Sequence, residues 1–294
     1  MGWRCAGLRW GGGRPAVGWY GEGRGERSSA LVYGQWLAFA GVGARGCLGV
    51  RRSGRWTPCP TGAEVPGRAG GGQCAECARL DRSFSVAADT HVADPRPYRV
   101  YLAWFGPGLV KVGITAEERG PARLLEQGAV TWSWLGRGPL MAARRTEELL
   151  RAALGVPDRI AYGRKRAVRG SLPPAAERAA EVAELHARAG GLAGWPESLE
   201  RLPCEAVDHA GAFGLDGLPR PRRVLAELAD GAVVAGRLAG AAGPDLHLQD
   251  GLVVDTRLLA GWELVAVASP EQAVTTAPVR EIRPEGDGGQ DGLF

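Results

Sequence analysis

The chain has 294 residues, 45% of them hydrophobic and 23% charged, a globular mixture that excludes a disordered or fibrous protein. No run approaches 18 consecutive apolar residues, which excludes a membrane-spanning helix, and the first 20 residues lack the apolar core of a secretory signal. The net charge of +4 hides a division: residues 1–170 hold 26 Lys/Arg against 13 Asp/Glu, and residues 171–294 hold 10 against 19. Such a division predicts a basic part that meets a polyanion and an acidic part that does not. Only Lys111 and Lys165 are lysines among 36 cations, and the chain has no Asn, a composition expected of a GC-rich bacterial genome and of a cytoplasmic protein.

In chain order, residues 1–90 read as β-rich, with short strands at 3–10, 16–20, 31–40 and 47–51 between Gly-rich turns. Asp94-Pro95-Arg96-Pro97 is a rigid break near the start of a separate domain, residues 91–190, and a new pattern begins at Tyr98. Its pattern is a strand at 98–105, a Gly-Pro-Gly turn and a returning strand at 109–115. A helix at 121–128, a strand-like 129–135 and a helix at 139–155 follow, both helices with Pro at the start and Gly at the stop. A further helix at 174–189 reads as scaffold. Residues 191–223 are an irregular connector, and 224–268 a second β-rich part with strands at 224–228, 232–238, 245–248, 252–255 and 262–267. Residues 269–294 carry no periodic apolar pattern and are expected to be a flexible tail. The fold class expected is α+β.

Four of the six cysteines, Cys47, Cys59, Cys74 and Cys77, fall within 31 residues. The pair Cys74-Ala-Glu-Cys77 has the spacing at which two thiolates converge on one metal, and Cys47 and Cys59 sit among Gly and Pro turn residues. A reducing cytosol favours metal over disulfides. The expectation is a zinc-ribbon-like element over residues 46–80, structural because four sulfurs leave no open coordination position. Cys5 and Cys204 stand apart, and the four histidines show no metal spacing.

The block 98–155, with Arg99-Val100-Tyr101 on its first strand and Lys111-Val112-Gly113 on its second, resembles the GIY-YIG nuclease superfamily, in the branch whose second motif begins with Lys. The run Lys111-Val-Gly-Ile-Thr followed by Arg123-Leu-Leu-Glu-Gln-Gly-Ala129, the upstream cysteines and the trailing strands resemble a bacterial family catalogued as domain of unknown function 2797, over most of residues 1–268. The superfamily resemblance implies a small mixed domain, a short sheet with flanking helices, between the two β-rich parts. It also implies a first-motif tyrosine at Tyr101, a phosphate-contacting arginine at Arg123 (Arg119 being the alternative) and a metal-binding glutamate at Glu147 or Glu148.

Helical phase chooses Glu147. Ala143, Glu147, Leu150 and Leu154 form one inward stripe, whereas Glu148 shares its face with Arg144 and Arg151. Lys111 occupies the place where the superfamily has a tyrosine that helps activate water, and an ammonium near its ordinary pKa is a poor base. Lys111 suits holding phosphate or stabilising developing negative charge. Two function classes follow. The first is a zinc-binding, nucleic-acid-binding protein in which Lys111, Arg119 and Arg123 contact phosphate. The second is a DNA or RNA phosphodiesterase with catalytic Tyr101, Lys111, Arg123 and Glu147, and with Mg²⁺ or Mn²⁺ at Glu147. A protein-interaction scaffold with a degenerate site is a third, weaker reading.

Overall fold

The computed structural model describes residues 2–52, 55–83 and 94–282. The chain is mixed α+β with mostly sheet, and it divides into two compact units: residues 2–83 with 217–282, and residues 94–216. The chain begins with β1 (Arg4–Gly11), β2 (Arg14–Gly21), β3 (Gly25–Ala30) and β4 (Trp36–Val42). A small hairpin, β5 (Val50–Arg52) with β6 (Arg55–Thr57), leads to α1 (Ala75–Ser83).

The second unit runs β7 (Pro97–Trp104), β8 (Val110–Ala116), α2 (Ala122–Gln127), β9 (Thr131–Pro139), α3 (Leu140–Leu154), α4 (Tyr162–Val168) and α5 (Ala175–Gly190). It ends with β10 (Glu200–Arg201), β11 (Val207–Asp208) and α6 (Ala210–Phe213). The chain then returns to the first unit as β12 (Arg223–Leu225), β13 (Val233–Ala242), β14 (Asp245–Leu248), β15 (Leu252–Asp255), α7 (Thr256–Leu259), β16 (Glu263–Ala266) and β17 (Val279–Glu281).

The early and late strands belong to one ten-stranded sheet, ordered β17-β12-β15-β14-β13-β4-β16-β1-β2-β3. β16 pairs antiparallel with both β1 (Arg4↔Glu263) and β4 (Val265↔Ala40), so a late strand separates two early ones. The core mixes both ends of the sequence: Cys5, Leu225, Val234, Leu238, Leu246, Leu248, Leu252, Val254, Leu259 and Trp262 are buried together. The charge division at residue 170 does not follow this fold. Residues 1–90 and 217–282 together hold 18 Lys/Arg against 14 Asp/Glu, and residues 91–216 hold 17 against 15.

The expected flexible tail needs correction over its described part. β17 pairs with β12, and Thr275 Oγ1 both accepts from Ala235 N (3.0 Å) and donates to Ala235 O (2.9 Å). Hydrogen bonding, rather than apolar periodicity, holds residues 275–281. The remainder, 283–294, lies outside the described residues.

In the second unit β7 is central, paired with β8 on one side and β9 on the other, and β10 and β11 add to β9. From Val100 to Trp104 every β7 side chain is buried, which matches its near-continuous apolar reading. The Glu181 carboxylate on α5 accepts from Trp104 Nε1 (2.6 Å) and Gly108 N (2.9 Å), tying helix to hairpin. Asp208 takes Thr131 Oγ1 (2.7 Å) and the buried Arg178 (2.9 Å), which anchors β11 and α5 on β9. Among the described residues no helix is long and apolar enough to cross a membrane.

Candidate metal centre and charged site

Cys47 precedes the β5–β6 hairpin and Cys59 follows it, while Cys74 and Cys77 lie just before and within the first turn of α1. All four sulfurs lie within 4.8 Å of one another, with Cys59 Sγ and Cys74 Sγ 4.0 Å apart. A zinc–sulfur length of about 2.3 Å places tetrahedral ligand sulfurs about 3.8 Å apart, so the donor set fits a metal such as zinc. Backbone amides point at the sulfurs: Cys74 N and Gly49 N donate to Cys47 Sγ at 3.2 and 3.4 Å. Gly49 is required here, because its φ is +76° and a Cβ would lie 2.0 Å from Thr57 O. The Thr61 hydroxyl, with backbone amides, pulls the Cys59 thiol down to about 6, towards the thiolate a metal needs.

The loop between the ligand pairs is organised by Arg45, which sequence reading missed. This buried guanidinium donates to six carbonyls: Pro66 (2.6 Å), Gly67 (3.2 Å), Ala69 (3.0 Å), Gly71 (2.7 Å), Arg257 (2.9 Å) and Ala260 (2.8 Å). Burial lowers it to about 10, a pKa that keeps it charged at neutral pH. The cysteine loop is thereby fixed to the α7 end of the sheet.

Of the four residues expected to form a site in the second unit, Tyr101 and Lys111 lie side by side, and the charges of Arg123 and Glu147 act on both. Tyr101 and Lys111 share one face of the β7–β8 pair, since Tyr101 faces Gly113 and Ala103 faces Lys111. Lys111 Nζ lies 5.7 Å from the centre of the Tyr101 ring and donates to Asp158 O (2.9 Å). A Cβ on Gly113 would lie 2.4 Å from the Tyr101 hydroxyl, so this glycine lets the ring lie across β8. Burial and the Arg123 charge lower Lys111 to about 8, against the opposing pull of Glu147 and Asp158. Burial raises Glu147, which Lys111 partly counters, and burial raises Tyr101, on which both Arg123 and Glu147 act. The charges of Arg123 and Glu147 thus both act on the Tyr101 phenol and on the Lys111 amine.

Two partners of this cluster were not singled out from the sequence. Gln127, buried at the end of α2, donates its amide to the Tyr101 hydroxyl (2.8 Å). Asp158 supplies the carbonyl that holds Lys111, and the adjacent Pro157 O accepts from Val112 N (3.0 Å). A buried polar residue ending a helix is a signal for the first; the second is a backbone contact with no residue-type signature.

The remaining candidates divide clearly. Glu147 is half-buried on α3 between buried Ala143 and Leu150, whereas Glu148 is exposed and paired with Arg151 (2.5 Å). Arg119 gives its guanidinium to both oxygens of Glu126 (2.7 Å each), while Arg123 reaches Glu126 only at 3.8 Å. Arg99 and Arg137 both bind Glu117, and Arg9 and Arg51 both bind Glu26, so much of the arginine surplus is spent internally. Trp104 and Trp132 are core, and Arg27 covers the Trp3 ring at 4.3 Å. His209 is pinned, accepting from Trp132 Nε1 (3.1 Å) at Nε2 and donating to Ala129 O (3.1 Å) at Nδ1.

A family model described as "Protein of unknown function (DUF2797)" matches residues 68–264, two thirds of the chain, and the chain belongs to that family. The match begins after Cys47 and Cys59, so it covers a shorter stretch than the resemblance over residues 1–268 implied. No curated protein and no solved structure matches the chain.

Proposed function

We propose that this member of the DUF2797 family is a zinc-binding, nucleic-acid-binding protein whose second unit is a divergent GIY-YIG-like domain. In this reading Cys47, Cys59, Cys74 and Cys77 hold one structural zinc, and Tyr101, Lys111 and Arg123 receive a backbone phosphate. The observation that carries it is that Lys111 Nζ lies 5.7 Å from the centre of the Tyr101 ring with the charges of Arg123 and Glu147 acting on both, Arg123 being held only loosely by Glu126. Lys111 and Arg123 supply the cations for a phosphate, and the buried phenol supplies an oriented hydroxyl. Arg119, held by Glu126, would have to exchange that carboxylate for phosphate and is the weaker contact.

The test is affinity for mixed-sequence oligonucleotides across salt concentrations. Arg123→Gln and Lys111→Met should each weaken binding and each reduce the salt slope by about one ion. Binding that is absent, or a slope unchanged in both variants, overturns the reading.

The half-buried Glu147 carboxylate favours a second reading, metal-dependent phosphodiester hydrolysis. Glu147 would hold Mg²⁺ or Mn²⁺, which polarises the scissile phosphate when bound. Cleavage that Glu147→Gln abolishes with binding retained, and that Glu148→Gln leaves intact, identifies this alternative.

A further inference from the structure

Lys111 has the surroundings of an amine that reacts rather than one that only attracts. Its ammonium has lost most of its water, feels the Arg123 cation, and is bonded to the Asp158 carbonyl, an acceptor to which an uncharged amine can also donate. Desolvation and a neighbouring cation are the two devices that turn a lysine into a nucleophile. They bring it to about 8, where roughly a tenth of the side chain is uncharged at pH 7. Lys165, the other lysine, is also buried but lies against the Phe105 and Tyr162 rings, at 3.8 and 4.6 Å, and donates to Gln127 O.

Around Lys111 stand the groups that carbonyl chemistry beside a phosphate requires. Glu147, half-buried on the apolar stripe of α3, acts on Lys111 through its charge and is a carboxylate that can take a proton from carbon. Arg123, with its side chain 44% exposed and its charge acting on Lys111, can hold a phosphate leaving group.

We propose that Lys111 captures the aldehyde of a ring-opened abasic deoxyribose in DNA as an imine, and that Glu147 then drives strand cleavage by β-elimination. The proposal rests on the nucleic-acid reading above and names a substrate class for the same site. The uncharged Nζ attacks C1′, a C–N bond forms, and water leaves to give the imine. Glu147 removes a proton from C2′, the C2′–H electrons form the C2′=C3′ bond, and the C3′–O bond breaks to release a phosphate monoester beside Arg123. Water then hydrolyses the imine, returning the amine and freeing the unsaturated aldehyde. The water lost at imine formation is regained here, and no electron acceptor is needed.

The experiment incubates the full chain with an oligonucleotide carrying one abasic site, with and without sodium borohydride, alongside an intact oligonucleotide. Borohydride should trap a covalent adduct that peptide mapping places on Lys111. Lys111→Arg should abolish the adduct, whereas Lys165→Arg, which leaves Lys111 in place, should keep it. Glu147→Gln should retain the adduct but slow cleavage about a hundredfold, a split that loss of structure would not produce. A second probe, pyridoxal phosphate reduced with borohydride, should label Lys111 in preference to Lys165. Binding of either oligonucleotide without an adduct, or an adduct on Lys165 or the terminal amine, overturns the imine and leaves the binding reading standing. Absence of binding to both removes the two together.

Discussion

Both units bury cations, and Arg45 and Lys111 differ in what surrounds the charge. Arg45 in the first unit spends its guanidinium on six carbonyls of one loop and α7. Lys111 in the second unit meets one carbonyl and a mixed field of Arg123, Glu147 and Asp158. The first arrangement is closed: every donor ends on backbone, so the charge fixes structure. The second is open, because its charges are set against one another without being cancelled. Burial of a charge therefore identifies a functional site only after its partners have been counted.

The largest effect should come from breaking the closed side at its metal. Purified protein should carry about one zinc per chain, and Cys77→Ser should lose it with a destabilisation on the order of several kcal/mol, read by urea unfolding. Four thiols that titrate freely in the folded chain would remove the closed half of the contrast. Next, Arg45→Met should cost about 3–5 kcal/mol, since a buried guanidinium is lost and several carbonyls are left without donors. A loss under about 1 kcal/mol would mean that water serves those carbonyls as well as arginine does.

The smallest effect sharpens the second unit's side. Burial holds His209 below its ordinary pKa of 6.5, and protonation would set an Nε2–H against Trp132 Nε1–H. Its contribution is fully present above pH 6.5 and is lost as pH falls below that value, because the unfolded chain then binds the proton first. Unfolding midpoints at pH 7.5 and 5.5 should show this decline in the wild type and less of it in His209→Gln. Equal slopes in both proteins would assign the pH dependence to other groups.

The same contrast separates what the sequence makes legible from what it hides. The strands at 245–248 and 252–255, the helix punctuated by Pro139 and Gly155, and the placing of Glu147 inward and Glu148 outward follow from local periodicity, and the structure has them there. The insertion of β16 between β1 and β4 is invisible to periodicity, because pairing across more than 200 residues leaves no local pattern. β3 was not read as a strand because Gly-Glu-Arg-Ser-Ser-Ala is an almost wholly exposed edge with no alternation. α4 escaped because its buried side chains are Lys165 and Arg166, charges where a helix signal seeks apolar residues. Arg45 escaped for a related reason, since its six partners are backbone oxygens and no side-chain type announces them.

The place of β16 has a consequence during synthesis. β1 and β4 each pair with it, so the edges they turn towards it stay unmatched until residue 266 has left the ribosome. At roughly 5–20 residues per second that wait is on the order of 10–40 s after β4 has been made. Residues 94–216 are contiguous and can fold in the interval, whereas Cys5 and the loop that Arg45 will gather stay exposed until Ala260 and Trp262 are available. A nascent chain stalled before β16 therefore presents two open strand edges and uncovered thiols, the form of this protein most exposed to aggregation and oxidation.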